Sequence, residues 1–202
     1  MGYTPCNRYG VAGIVDDEGR HAVVDPALLA IQQGRAFRFS HRFSSVAAAA
    51  VVSILVDPSA NGATTPLRLA VDIETGVDCS VEILEGTTTT ADGTELVAYG
   101  LNRNADPSMN SVGAVYHTPT IDTSGNLALP IAYVDAALPA DISYQETFGE
   151  TGAGDAAHRT LPEIYLDRTK KYLIRVTNLG SGAGNIVVSG RIIREPRAYE
   201  GA

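Results

Sequence analysis

The chain has 202 residues, a formal net charge of −8 at pH 7 and no tryptophan. A chain of this length buries about 70% of its unfolded surface, so it can form one hydrophobic core without disulfides or metals. Its negative net charge repels phosphate groups, which argues against direct binding to nucleic acid or to an anionic membrane.

Residues 1–6 contain neither the basic region nor the apolar region of a signal peptide. No run of about 18 apolar residues is present, so we predict no membrane span. The two cysteines, Cys6 and Cys79, lack the number and spacing of a disulfide framework or a metal site. We therefore expect two unpaired thiols and folding in a cytoplasm.

Residues 1–24 are polar and interrupted by glycine, which predicts an extended arm with neither helix nor strand. Asp25 and Pro26 are the residue types of a helix N-cap and first helical position, and Gly34 is that of a helix stop. A short helix is predicted between them, with Leu28 and Ile31 on its apolar face. Residues 25–195 form the predicted main domain, and residues 196–202 a C-terminal tail.

Alternating apolar and polar residues, rich in β-branched and aromatic types, predict short strands along the rest of the chain. In the first of them, Phe37, Phe39, His41 and Phe43 fall on one face, and arginine and serine fall on the other. No crossover helix of the kind that parallel sheets require is present between them. The predicted strands are residues 36–43, 51–56, 67–74, 79–85, 94–101, 114–118, 127–134, 163–166, 171–178 and 185–194.

The last two strands are predicted to form a hairpin, because the loop at 179–184 contains three glycines that reverse the chain at low steric cost. A two-stranded hairpin is marginal in water, so the other strands must extend it into a sheet and cover it with a second layer. The fold class predicted is all-β: an antiparallel, jelly-roll-like β-sandwich with an extended N-terminal arm and one short N-terminal helix.

The best candidate cluster of carboxylates is Asp72, Glu74 and Asp78. Asp72 and Glu74 share one strand face at i, i+2, which suits calcium ligands or a glycosidase-like acid/base pair. The alternative is the polar face of an amphipathic strand, and Gly76 is not at the position that a helix–loop–helix calcium site requires. We favour the polar face, and predict no catalytic residue, cofactor or metal, and hence no enzyme.

Other motifs are interpreted as structural. The Gly-Ser-Gly run at 180–182 lies in the predicted hairpin turn, and not between a strand and a helix as in a nucleophile elbow. The Gly-Ala-Gly-Asp run at 152–155 lacks the Lys-Ser/Thr pair of a phosphate loop. The histidines are scattered without metal-ligand spacing, and they are His21, His41, His117 and His158.

Five strand and turn motifs carry a resemblance to a known family. They are Phe-x-Phe-x-His-Arg-Phe at 37–43, Leu-Glu-Gly at 84–86, Leu-Asn-Arg-Asn at 101–104, Tyr-His-Thr-Pro-Thr at 116–120 and Lys-Tyr-Leu-Ile-Arg-Val-Thr-Asn at 171–178. Over about residues 25–195 the chain resembles small structural proteins of tailed-bacteriophage virions that look like capsid decoration (cement) proteins. Residues 135–160 have no counterpart in this family. The resemblance implies a jelly-roll homotrimer that is made in the cytoplasm of the bacterial host, binds junctions between major capsid proteins on the capsid surface of the virion, and has no active site.

Three functions are therefore considered. The preferred hypothesis is a decoration subunit on the outer surface of the assembled head, with the major capsid protein as partner and residues 1–24 in contact with the capsid or a neighbouring subunit. The second is a head- or tail-fibre or receptor-binding module, for which Tyr144 and Phe148 are aromatics near a long loop. The third is a glycan-active enzyme that uses Asp72, Glu74 and Asp78.

Overall fold

The computed structural model describes residues 13–15, 21–23, 26–60, 66–102, 113–129, 132–134 and 157–194. In these ranges the secondary structure is almost entirely β, with one helix, α1 (Pro26–Gln32). No helix in these ranges has the length and hydrophobicity that crossing a bilayer requires. The strands are β1 (Gly13–Val15), β2 (His21–Val23), β3 (Ala36–Val46), β4 (Val51–Asp57), β5 (Leu67–Thr75), β6 (Cys79–Glu85), β7 (Thr88–Ala91), β8 (Thr94–Leu96), β9 (Tyr99–Gly100), β10 (Ala114–His117), β11 (Thr120–Thr123), β12 (Asn126–Leu127), β13 (Ala132–Val134), β14 (Ala157–Thr160), β15 (Ile164–Leu166), β16 (Tyr172–Asn178) and β17 (Gly184–Arg194).

Two antiparallel sheets form the body of the protein. The seven-stranded sheet has the order β12-β6-β16-β4-β10-β8, with β13 paired to β6 beside β12. The six-stranded sheet has the order β14-β5-β17-β3-β9, with β15 paired to β5 beside β14. Two short ribbons, β1-β2 and β7-β11, stand apart from these sheets.

The strand order is that of a jelly roll. The central strands of one sheet are β3, β17 and β5, and the central strands of the other, in the same order, are β4, β16 and β6. The chain therefore passes from one sheet to the other between β3 and β4, between β5 and β6, and between β16 and β17. The outer strands β14 and β15 extend one sheet beyond β5, and β12 and β13 extend the other beyond β6. Two interlocked Greek keys of this kind define the jelly roll, which confirms the predicted fold class.

The core lies between the two sheets and follows from the period-two alternation of the strands. In β3, Phe37, Phe39 and Phe43 are buried, while the intervening Arg38 and Arg42 are exposed. These aromatic rings belong to one apolar cluster to which both sheets contribute aliphatic side chains. The Cys79 side chain is buried in the same cluster, and Cys6 lies outside the described residues.

Helix α1 ends where its sequence predicts. The Gly34 amide donates to the Ile31 carbonyl (2.9 Å) and the Arg35 amide to the Ala30 carbonyl (2.8 Å), with Gly34 in the left-handed region at φ 68°. This is the Schellman pattern, which favours glycine because it has no Cβ. The predicted apolar face is partly wrong, since Leu28 is exposed. Ala30 is buried instead, in a cluster with Ala36 and Ile193.

The predicted terminal hairpin is wrong. Strands β16 and β17 are not paired to each other, because β16 lies between β4 and β6 and β17 lies between β3 and β5. Both strands also carry apolar residues on their outer faces, where Leu173 packs near Ile121 of the β7-β11 ribbon and Ile193 packs against Ala30 of α1. The loop at 179–184 therefore crosses from one layer to the other, and the Gly-Ser-Gly run lies in that crossing.

Two predicted strands are each divided. Residues 94–101 form β8 and β9, which pair with β10 and β3 in opposite sheets, so this segment crosses one side of the sandwich. Residues 127–134 contain β12 and β13, which pair with different parts of β6. These four strands are short and alternate weakly, so the strands beside them decide how they pair.

Strands also form where none is predicted. The β1-β2 ribbon lies within residues 1–24, so the absence of a strand there is wrong, while the other residues of the arm lie outside the described ranges. Strand β14 lies within the region 135–160, in which no strand is predicted. Strand β7 contains three threonines and pairs with β11, and this ribbon places Ile121 against Leu55 and Leu173 on the outer face of the seven-stranded sheet.

Candidate functional site

The carboxylates singled out in the sequence lie at the outer face and one end of the six-stranded sheet. Asp72 and Glu74 stand opposite Ser189 and Val187 of β17, and alternate with the buried Val71 and Ile73. Asp78 lies in the turn before β6. Among the described residues, no three His, Cys, Asp or Glu side chains come close enough to hold a metal ion. By the alternation of β5, Asp72 and Glu74 lie on the polar face of an amphipathic strand.

Two of the histidines meet although the sequence separates them widely. The rings of His41 on β3 and His117 on β10 stack with centroids 4.0 Å apart and an interplanar angle of 14°, and so join the two sheets. The Thr118 hydroxyl lies 3.0 Å from Nδ1 of His117, and Phe43 contacts His41 edge-on. Burial, and secondarily the neighbouring His117, lower the pKa of His41 below its ordinary value of 6.5. The side chains of His21 and His158 are not among those described.

We expect this pair to make stability depend on pH. Because the pKa of His41 is lower in the folded chain than in the unfolded chain, its contribution is complete above about pH 6.5 and is lost as the pH falls toward the folded value. The urea midpoint should therefore fall between pH 7.5 and pH 5.0. In His41→Phe, which extends the aromatic row of β3, this fall should be smaller. An equal fall in the two proteins would contradict the assignment.

Basic side chains on the seven-stranded sheet are all engaged in ion pairs. Lys171 Nζ lies 2.6 Å from Asp92 Oδ1 and 3.5 Å from Asp57 Oδ2, which joins the β7-β11 ribbon to the sheet. Lys170 pairs with Glu85 and, at 3.7 Å, with Asp167, and Arg175 pairs with Glu82.

Tyr172 lies beside one of these pairs. Its hydroxyl donates to Glu85 (2.8 Å) and accepts the Asp167 amide (2.7 Å). Burial raises the pKa of Tyr172 to about 12. The hydrogen bond from Lys170, followed by that from Tyr172, lowers the pKa of Glu85. These groups are hydrogen-bonded to one another, which is the arrangement of a structural network.

The outer face of the six-stranded sheet differs from the seven-stranded sheet in the pairing of its basic side chains. Arg38, Ser40 and Arg42 of β3 are exposed, and Arg38 stands directly opposite Arg191 of β17. Glu163 binds Arg191 (2.9 Å). The same carboxylate also binds Arg68 (3.1 Å). Arg38 and Arg42 have neither a hydrogen-bonding nor an ionic partner among the residues that the structure describes.

A shallow cleft of about 430 Å³ lies at one end of this face. Arg42 and Glu74 stand on either side of Val187, and the loop residues Val77 and Gly184 line one end of the cleft. Gly184 is required there because a Cβ would overlap the Val77 side chain. The cleft offers the Arg42 guanidinium and the Glu74 carboxylate beside the apolar side chain of Val187, which suits binding of a polar group.

The unpaired arginines and the histidine stack were both missed by sequence reasoning. The sequence does place Arg38 and Arg42 on one outer face, because they are i, i+4 on a predicted strand, but it does not show that they lack partners. The contact of His41 with His117 depends on which strands face each other across the sandwich, and no local pattern contains that information.

Comparisons with known proteins identify no family. No protein-family model matches the chain, and no curated protein matches it. Among solved structures, 96% of the chain aligns with 50% of the chain in "Crystal structure of infectious bursal disease virus VP2 subviral particle", at 12% identity and a TM-score of 0.17. The chain thus spans about half the length of that viral protein, and a score of this size carries no argument about fold or function.

Proposed function

We propose that the chain is a structural protein of a bacteriophage virion, a decoration subunit that binds the outer surface of the assembled head. The observation that carries the proposal is the jelly-roll strand order, in which β3-β17-β5 faces β4-β16-β6. Jelly rolls are common among viral capsid proteins and lectins. Because a fold alone does not determine function, the proposal also rests on the resemblance of the strand and turn motifs to decoration proteins.

The surfaces of the described residues are compatible with this function. One aliphatic and aromatic cluster fills the space between the sheets, and a shallow cleft bordered by Arg42 and Glu74 lies at the surface. A protein that docks many times on a symmetric shell gains avidity from weak individual contacts, so exposed docking groups on a rigid body are sufficient.

Binding to shells tests the proposal. Purified protein is mixed with expanded heads that lack this polypeptide, from the phage that encodes it, and with the host cells of that phage. We expect co-sedimentation with the heads, saturating at a stoichiometry that matches the shell symmetry, and no binding to cells. Binding to the cells and not to the heads would contradict the proposal.

That opposite outcome would support a receptor-binding module. One observation favours this second candidate: Tyr99 and Tyr165 are 68% and 66% exposed at the two sides of the six-stranded sheet. Exposed aromatics are typical of binding surfaces. Tyr144 and Phe148, which the sequence suggests for this role, lie outside the described residues.

A further inference from the structure

Two exposed guanidiniums on strand β3 have no partner to neutralise them among the described residues. Arg38 and Arg42 are separated by Ser40, and all three point away from the core in the strand's alternating pattern. We call these three residues the donor row. Successive members are about 6.7 Å apart along the strand. Arginine only donates hydrogen bonds, so the complementary surface must present acceptors, and charge favours anionic ones.

The neighbouring strand β17 adds a further positive charge beside Arg38. Arg191 is directly opposite Arg38, and like charges in this position destabilise an antiparallel pair. Glu163 is shared between Arg191 and Arg68, so it does not serve Arg38. On the opposite sheet, by contrast, Lys170, Lys171 and Arg175 are all paired. Departures of this kind from local charge balance are expected at functional surfaces.

The features beside the donor row indicate a protein partner. Tyr99 is opposite Arg38 and 68% exposed, and arginine and tyrosine are the residues enriched at protein interfaces. Arg42 also borders the cleft over Val187, which provides a concave seat for a side chain. The chain's net charge of −8 does not prevent contact between these arginines and clustered carboxylates, because charges farther away than about 8–10 Å are screened.

We propose that the donor row, with Tyr99 beside it, docks onto a carboxylate-rich protein surface. The guanidiniums of Arg38 and Arg42 each receive a carboxylate from the partner, in the two-pronged geometry that arginine favours. That the partner is the capsid shell rests on the proposed function, whereas the recognition of carboxylates does not.

Binding to immobilised poly-L-glutamate tests the inference. The wild-type chain should bind at about 50 mM salt and weaken steeply as salt increases, because exposed ion pairs are screened. Arg38→Gln/Arg42→Gln should bind at least about tenfold more weakly, since two charge-assisted contacts are lost. Both side chains are exposed, so the urea midpoint should remain close to that of the wild type.

A second variant with the same net charge is the control. Thr90→Glu/Thr123→Glu changes two exposed residues of the β7-β11 ribbon, and both variants lower the net charge from −8 to −10. We expect the control to bind within about threefold of the wild type. Equal weakening of both variants, or no binding of the wild type at low salt, would overturn the inference.

A single-stranded oligonucleotide of matched charge distinguishes the carboxylate from the phosphate. Weaker binding to the oligonucleotide than to poly-L-glutamate is expected, and equal or tighter binding would refute the commitment to carboxylates. The inference and the proposed function can fail separately. If the chain binds poly-L-glutamate through Arg38 and Arg42 but does not bind heads, only the proposed function is refuted. If the arginine variant binds heads as well as the wild type does, the donor row is not the surface that contacts the head.

Discussion

Replacing Asn178 by leucine is expected to lower the free energy of unfolding by about 3 to 5 kcal/mol. The Asn178 side chain is completely buried, and its amide donates to the carbonyls of Val46 (2.9 Å), Ala47 (3.1 Å) and Gly182 (2.9 Å). Its carbonyl oxygen accepts the Gly180 amide (2.8 Å). Leucine has a similar size but leaves these backbone groups without a side-chain partner, and each such buried group costs about 1–3 kcal/mol.

Asn178 matters because it joins two crossings of the jelly roll. Val46 and Ala47 lie where the chain passes from β3 to β4, and Gly180 and Gly182 lie between β16 and β17. Urea unfolding measures the effect, and Asn185→Leu provides a matched control. Asn185 is exposed and accepts one amide, from Ser45 (3.2 Å), so its loss should cost less than about 1 kcal/mol. Similar losses in the two variants would show that burial of Asn178 is not what stabilises the crossings.

Gly190→Ala is expected to destabilise the protein by about 1 to 3 kcal/mol. Gly190 is in the middle of β17, opposite Phe39 of β3. An added Cβ would lie 2.6 Å from Cε1 of Phe39, still closer to Cζ, and 3.1 Å from the Ala70 carbonyl oxygen. Since the core is close-packed, the ring must leave its position to make room for the methyl group.

The double variant Gly190→Ala/Phe39→Leu identifies the cause. If the ring is what the methyl group meets, the combined loss should be smaller than the sum of the single losses by about 1 kcal/mol, as found for residues in contact. Gly182→Ala is the control, because its Cβ would have open space. Strict additivity, or a loss in Gly182→Ala as large as in Gly190→Ala, would show that the alanine acts through the backbone and not through Phe39.

The strands with strong alternation could be predicted from the sequence. β3, β4, β5 and β6 begin and end within about three residues of their predicted limits, since an amphipathic ribbon carries its own burial signal in every second residue. The helix stop at Gly34 is equally local, because it depends on one backbone conformation that glycine adopts readily.

Strand pairing could not be predicted from the same local patterns. The β16-β17 segment has the pattern of a hairpin with a glycine-rich turn, yet the two strands enter different sheets. Alternation states which face of a strand is buried but not which neighbour it binds. The choice is made by β4, β6, β3 and β5, whose partners are distant in sequence. The division of residues 94–101 between two sheets has the same origin.

The candidate site was predictable only in part. The polar character of Asp72 and Glu74 follows from their positions in β5, and the structure keeps them on the outer face. The importance of Arg38 and Arg42 becomes visible only when the ion pairs of the other basic residues are known. Unpaired charge is a property of the assembled surface, and a single strand does not specify it.

Electron microscopy of heads assembled with and without this polypeptide is the most direct test of the account. We predict additional density on the outer surface of the shell when the polypeptide is present, repeated with the shell symmetry, into which the two-layer sandwich fits. Heads of identical appearance in the two preparations, or additional density confined to the tail, would contradict a role in head decoration.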